Sequence, residues 1–157
     1  MSSSSESDSP PSRAQVQRWL ENSRHEIEGI CHQIIGAIND GRFDTNDPIW
    51  RVTMPNFEAA AAFALFPNFC DLATLLRTYR KHKQNYPHYA IRLNDDILTK
   101  IDERKRIARA HVNILSKGIP DGQVRQSVAQ MDFVYLKGAW YCQRYQCMPG
   151  MQAASCY

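Results

Sequence analysis

Long apolar runs, glycine and a dominant sign of charge are all scarce in this chain. The longest uninterrupted apolar stretch among its 157 residues is Ala59 to Phe66, far short of the ~20 residues that span a bilayer, so no membrane contact is expected. The seven glycines form no phosphate-cradling loop and no nucleophile elbow. A formal charge of +3 gives no compositional reason to expect a nucleic-acid partner. The five cysteines are odd in number and match no zinc-ligand spacing. The opening MSSSSESDSPPS carries two acids and no apolar segment, unlike a secretory leader or a basic presequence. A reducing, cytoplasmic setting is the expectation.

What is present is an ordinary globular composition, 43% apolar and 22% charged, enough for one core. Residues 1–12 have nothing to bury and read as a disordered lead, and residues 149–157 read as a flexible tail. The span between, 13–148, reads as one domain. Ser12 with Gln15 three residues on forms a capping-box signal. Val16, Trp19, Leu20, Ile27, Ile30, Cys31, Ile34, Ile35 and Ile38 then recur at helical spacing until Asn39-Asp40-Gly41 ends the run. Asp47-Pro48 marks a turn. Pro55 is expected to open a short helix through Ala59–Phe63 that Pro67 ends. Leu72, Leu75, Leu76 and Tyr79 predict a third helix over about 71–85. Its Arg77, Arg80, Lys81 and Lys83 form the wet side, a solvated face rather than a nucleic-acid patch.

After Pro87 the period becomes 2, and four strands are predicted over 89–102, 106–117, 124–136 and 139–148. Three consecutive hairpins make a meander, and the class is α+β. A turn centred on Asp121-Gly122 pairs Ala110 with Phe133 and His111 with Asp132. A turn centred on Lys137-Gly138 pairs Tyr135 with Trp140 and Phe133 with Cys142, and one at Glu103-Arg104 pairs Ile97 with Ala110. One face then holds Ile91, Leu93, Ile97, Ala108, Ala110, Val112, Ile114, Ala129, Met131, Phe133, Tyr135, Trp140 and Cys142, with Asp95 and Arg144 as its charges. The other holds Asp96, Arg109, His111, Asn113, Gln130, Asp132, Gln143 and Tyr145. Helices must cover the apolar face. Small alanines among large aromatics suit either a curved sheet around a cavity or an interdigitated, filled core.

This order of elements resembles the nuclear transport factor 2-like superfamily, in the branch of SnoaL-like polyketide cyclases. The resemblance covers about residues 12–148. It rests on the long first helix, on DPIWRVTMPNFEA and TYRKHKQNYPHYAIRLNDD, and above all on GIPDGQVRQSVAQMDFVYLKGAWYCQRYQCM. It implies a cone-shaped, curved antiparallel meander closed by three N-terminal helices around an apolar pocket, a homodimer through the outer sheet face, and proton-transfer chemistry without a metal or organic cofactor. The last strand, CQRYQ, lacks the acid that many relatives carry there.

The candidate catalytic groups are His111 with Asp132 as a cross-strand dyad, Tyr145 beside them, and Arg144 as a cation on the apolar face for a developing oxyanion. Their bland readings are a structural polar face for the dyad and an Asp95 salt bridge for Arg144. His32, Met131, Phe133, Tyr135 and Trp140 are the candidate substrate-binding residues, although a lone histidine on a helix edge, as His32 is, is more often a hydrogen-bonded packing residue. No metal site is expected. The expectation is a cyclase, isomerase or dehydratase acting on a small hydrophobic polyketide- or terpenoid-like intermediate of a fungal-type secondary metabolism, or else a non-catalytic binding or interaction module.

Overall fold

The computed structural model describes residues 9–60, 69–118 and 122–149, with backbone alone at 95 and 149. Helix α1, Arg13–Asn39, opens on the capping box that the sequence encodes. The Ser12 hydroxyl accepts from Gln15 N, and the Gln15 side chain accepts from Ser12 N at 2.9 Å. Its apolar stripe, Ile27, Ile30, Cys31, Ile34, Ile35 and Ile38, is fully buried. A 3₁₀ turn at Pro48–Val52 follows, capped by Asp47. Then come β1 Thr53–Ala60, α2 Leu72–Asn85, β2 Ala90–Asp102, β3 Ile107–Lys117, β4 Val124–Leu136 and β5 Ala139–Pro149.

The five strands form one sheet in the order β1-β5-β4-β3-β2, with β1 parallel to β5 and the other pairs antiparallel. Two expectations are corrected here. The sheet is mixed rather than a pure meander, and two α-helices rather than three pack on it among the described residues. Residues 53–60, expected to enter a helix from Pro55 onward, are a strand. Pairing with β5 outweighs the helix preference of the alanines. Pro55 is tolerated because β1 is an edge strand and the proline lies where its ladder is irregular, between Thr53 and Glu58. The rest of that expected helix, with Pro67, lies outside the described residues, as do residues 1–8, most of the C-terminal tail, and residues 119–121 of the turn between β3 and β4.

The predicted β4–β5 register holds at Tyr135↔Trp140 and Phe133↔Cys142. The β3–β4 register is slipped by two residues, so Ala110 faces Met131 and Ala108 faces Phe133. Its cause is Gly118, at φ +94°, where a Cβ would stand 2.8 Å from the Tyr89 backbone nitrogen. That close approach ends the strand at Lys117, which pairs with Val124. The β2–β3 register is the expected one over Ala90–Asn94, and between the irregularity at Asn94/Leu98 and the turn it is moved by two, to Thr99↔Ala110. A shift of two keeps every side chain on its face, so the apolar face of β2, β3 and β4 is as expected although the partners are not.

α1 lies across the apolar face and is tied at both ends. Trp19 packs against Tyr135 and Trp140. At the other end the Asn39 amide donates to Ile91 O at 2.6 Å and accepts from Ile91 N at 2.9 Å. β2 is the other edge of the sheet, so Asn39 satisfies backbone groups that have no neighbouring strand. Asn39→Ala leaves both unmet and is expected to cost about 2 kcal/mol, read from urea unfolding midpoints.

Candidate active site

A bulge on β5 determines what the site contains. Phe133 pairs with Cys142, yet Asp132 pairs with Arg144, so Gln143 is an extra residue opposite nothing. Gln143 and Arg144 both point outward, and Tyr145 turns into the core at 4% exposure. Two expected orientations are thereby exchanged: Arg144 is on the outer face and Tyr145 on the inner one. The reason is energetic. Strict alternation would bury a guanidinium and expose a phenol, whereas a bulge costs only one unpaired residue.

The outer face now carries a charged row across all five strands: Lys100, Arg109, Asp132, Arg144 and Glu58. Asp132 Oδ1 accepts from Arg109 Nε at 2.8 Å, and Glu58 Oε2 accepts from Arg144 Nη2 at 3.0 Å. The Arg144 guanidinium also stacks 4.6 Å from the Phe69 ring centroid. The His111–Asp132 pair is not formed. His111 stands opposite Gln130 and Leu98, one row away, because of the register slip. His32 is exposed on α1, one position beyond the buried stripe.

Of the expected lining residues, Met131, Phe133 and Trp140 are 0%, 1% and 2% exposed. All three side chains belong to the buried core beneath α1. Tyr135 is half-buried at its rim, with its ring 5.3 Å from Trp140.

Polar chemistry gathers elsewhere in the interior, between α2 and β5. The phenols of Tyr79 and Tyr145 are hydrogen-bonded to each other, and Tyr145 also bonds the Cys147 thiol, two residues along the same face. Tyr79 stacks on Tyr89 at 6.5 Å, and His82 lies 6.4 Å from the Tyr89 ring. His82 follows Tyr79 by three residues and so shares its helix face. The cluster reaches the surface through half-buried Cys70, Cys147 and His82. In the sequence Tyr79 belongs to the apolar stripe of this helix, and His82 stands between Lys81 and Lys83 of its wet side. A phenol on an otherwise aliphatic stripe, three residues before a histidine, was the signal available.

Burial sets the protonation of these groups. Removal from water pushes the Tyr79 and Tyr145 hydroxyls well above their ordinary 10.0, so both remain hydrogen-bond donors. Burial, then the neighbouring Lys81 charge, holds His82 below its ordinary 6.5, so its imidazole is neutral at pH 7. Neutral imidazole beside protonated phenols is a base with acids near it. Among the described residues, no three His, Cys, Asp or Glu side chains come together as a metal site, and no helix is long and apolar enough to cross a membrane.

No protein-family model matches the chain, and no curated protein matches it. Solved structures do. A nuclear transport factor 2-like protein with a cystatin-like fold from Novosphingobium aromaticivorans is 14% identical, covering 93% of this chain and 95% of its own, with a TM-score of 0.67. A proposed dehydratase of the same family from Streptomyces avermitilis is 16% identical, with coverage of 84% and 99% and a TM-score of 0.64. A proposed scytalone dehydratase from Novosphingobium aromaticivorans is 11% identical, with coverage of 89% and 91% and a TM-score of 0.63. At such identities the likeness is one of fold. With its long helix laid across the inner face of a curved mixed sheet, the chain has the nuclear transport factor 2-like, cystatin-like fold.

Proposed function

We propose that the chain is a cofactor-independent acid–base enzyme of the cyclase, isomerase or dehydratase type, in the manner of the SnoaL-like branch, acting on a small hydrophobic carbonyl compound. The observation that carries this reading is the Tyr145–Tyr79 phenol pair, turned into the apolar interior by the β5 bulge. The two fold neighbours described as dehydratases support the reaction class. In the proposed step the neutral His82 ring takes a proton from the carbon beside the carbonyl. The Tyr145 hydroxyl, which otherwise donates to Tyr79, then turns to donate to the oxygen as negative charge develops there. Apolar surroundings keep both phenols protonated through the reaction. In this reading His111, Asp132 and Arg144 stabilise the outer face and take no part in chemistry.

Heavy-water exchange tests the reaction without knowledge of the substrate. The chain is expected to speed deuterium incorporation beside the carbonyl of β-tetralone, followed by NMR. Tyr145→Phe is expected to slow it about 100-fold, the cost of one oxyanion donor, with the native circular dichroism spectrum retained. The rate should rise with pH along a limb below 6.5, where His82 loses its proton, and show no fall before 10.0. A rate untouched by Tyr145→Phe would remove the phenol pair from the mechanism. A second reading, a non-catalytic binding module, is favoured by one observation: Met131, Phe133 and Trp140 are closed off from solvent in the core.

A further inference from the structure

A second site stands apart from the tyrosine cluster, at the opposite end of α1. A cleft of about 380 Å³ separates the first turns of α1 from the β2–β3 turn, with Pro11, Val16 and Trp19 on one wall and Glu103, Arg104 and Arg106 on the other. Arg106 is held rigidly. Its backbone is left-handed at φ 54°, and its carbonyl accepts from Tyr135 N at 2.9 Å. Its guanidinium carbon lies 5.2 Å from the ring centroids of both Trp19 and Tyr135. Such stacking uses the flat faces of the guanidinium and leaves its in-plane N–H groups for an acceptor.

Among the described residues neither Arg104 nor Arg106 has an ion-pair partner. Asp102, the nearest acid in the turn apart from Glu103, is already engaged: its Oδ1 accepts from Arg104 N and Lys105 N, each at 3.1 Å. A preorganised, unpaired guanidinium beside an indole and a valine is a pattern for a flat apolar body with one carboxylate. A lone inorganic anion would have no use for the Trp19 and Val16 wall, and a cation would be repelled by the arginines.

We propose that this cleft binds a small planar aromatic carboxylate, its ring against Val16 and Trp19 and its carboxylate bridging Arg104 and Arg106. The site is independent of the acid–base reading above, and Tyr145→Phe should leave it intact. The test titrates the full chain with naphthoate and, separately, with uncharged naphthalene methanol, following the Trp19 indole N–H by NMR. Naphthoate is expected to give a saturable shift, weakened about tenfold by Arg104→Ala and again by Arg106→Gln, the loss expected for one charge-assisted contact each. The alcohol should bind at least about tenfold more weakly for the same reason. Equal binding of acid and alcohol, indifference to Arg104→Ala on its exposed turn, or a shift that never saturates would overturn the proposal. So would binding that appears only after removal of residues 1–8, which would assign the cleft to the chain's own acidic N-terminus. A shift that tracks protein concentration instead of ligand would assign it to a second copy.

Discussion

Raising the pH from 8 to 11 is expected to unfold this protein cooperatively. The cause is a set of acids whose neutral forms are locked inside the fold. Burial pushes the Cys31 thiol from 9.0 up to about 12 and raises that of Cys142 as well. The Tyr79, Tyr89 and Tyr145 hydroxyls are raised above 10.0 by the same cause. Above pH 9 the unfolded chain releases protons that the folded chain keeps. The unfolded state then binds fewer protons, and stability falls with rising pH. At about 1.4 kcal/mol per pKa unit, Cys31 alone favours the unfolded chain by roughly 3 kcal/mol at pH 11. The two thiols and three phenols together reach on the order of 10 kcal/mol, comparable to the whole stability of a typical domain. Circular dichroism against pH, with urea midpoints at each step, measures this. Cys31→Ala should flatten the decline between pH 9 and 11 by its share, while a stability that stays level to pH 11 would show that these groups meet water in the native state.

Gly118→Ala is the substitution expected to cost most for its size, about 3 kcal/mol. Two penalties add. A φ of +94° is outside the range of L side chains, and a methyl would stand 2.8 Å from Tyr89 N and 2.9 Å from the His88 carbonyl carbon and oxygen. These are backbone atoms that no rotamer change can move aside. Gly122 is the control: its φ is +80° but the space around it is open. Gly122→Ala should therefore lose only the conformational part, about 1 kcal/mol. Melting curves of the two variants separate strain from contact. Equal losses would mean that the β2–β3–β4 corner yields, and the tight seat of Gly118 against His88 and Tyr89 would not be what fixes the register.

That corner also shows where local reading reached its limit. The ends of α1 were legible because Ser12, Gln15, Asn39 and Gly41 are chemical signals acting within a turn or two. The four strands of the meander were legible because alternation over ten or more residues has one solution. The inner face is unaffected by the slips in β3–β4 and in the turn-side half of β2–β3 because each is by an even number. Partnerships did not survive. A turn centred on Asp121-Gly122 is good local chemistry, and only the approach of Tyr89 to Gly118, 29 residues apart in sequence, lengthens the loop. The His111–Asp132 dyad vanished with that slip.

Residues 53–60 failed for a related reason. Alanine after proline reads as a helix start, and the partner that makes it a strand, β5, comes some 80 residues later. At Gln143 the sequence held a clue in its charge. Alternation from Trp140 and Cys142 sends Arg144 inward, and the cost of burying a lone guanidinium argues for an irregularity before it.

The sequence by itself determined the α+β order, the long capped helix, the second helix and the apolar face of the sheet, because periodicity and capping are short-range. Only the tertiary structure decided which side chains meet. It placed Tyr145 inside with Tyr79, and set Arg144 outside on Glu58. It also joined β1 in parallel to β5. Those outcomes depend on bulges, loop lengths and an edge partner, whose energies are summed across the whole sheet and are written in no single window of the chain.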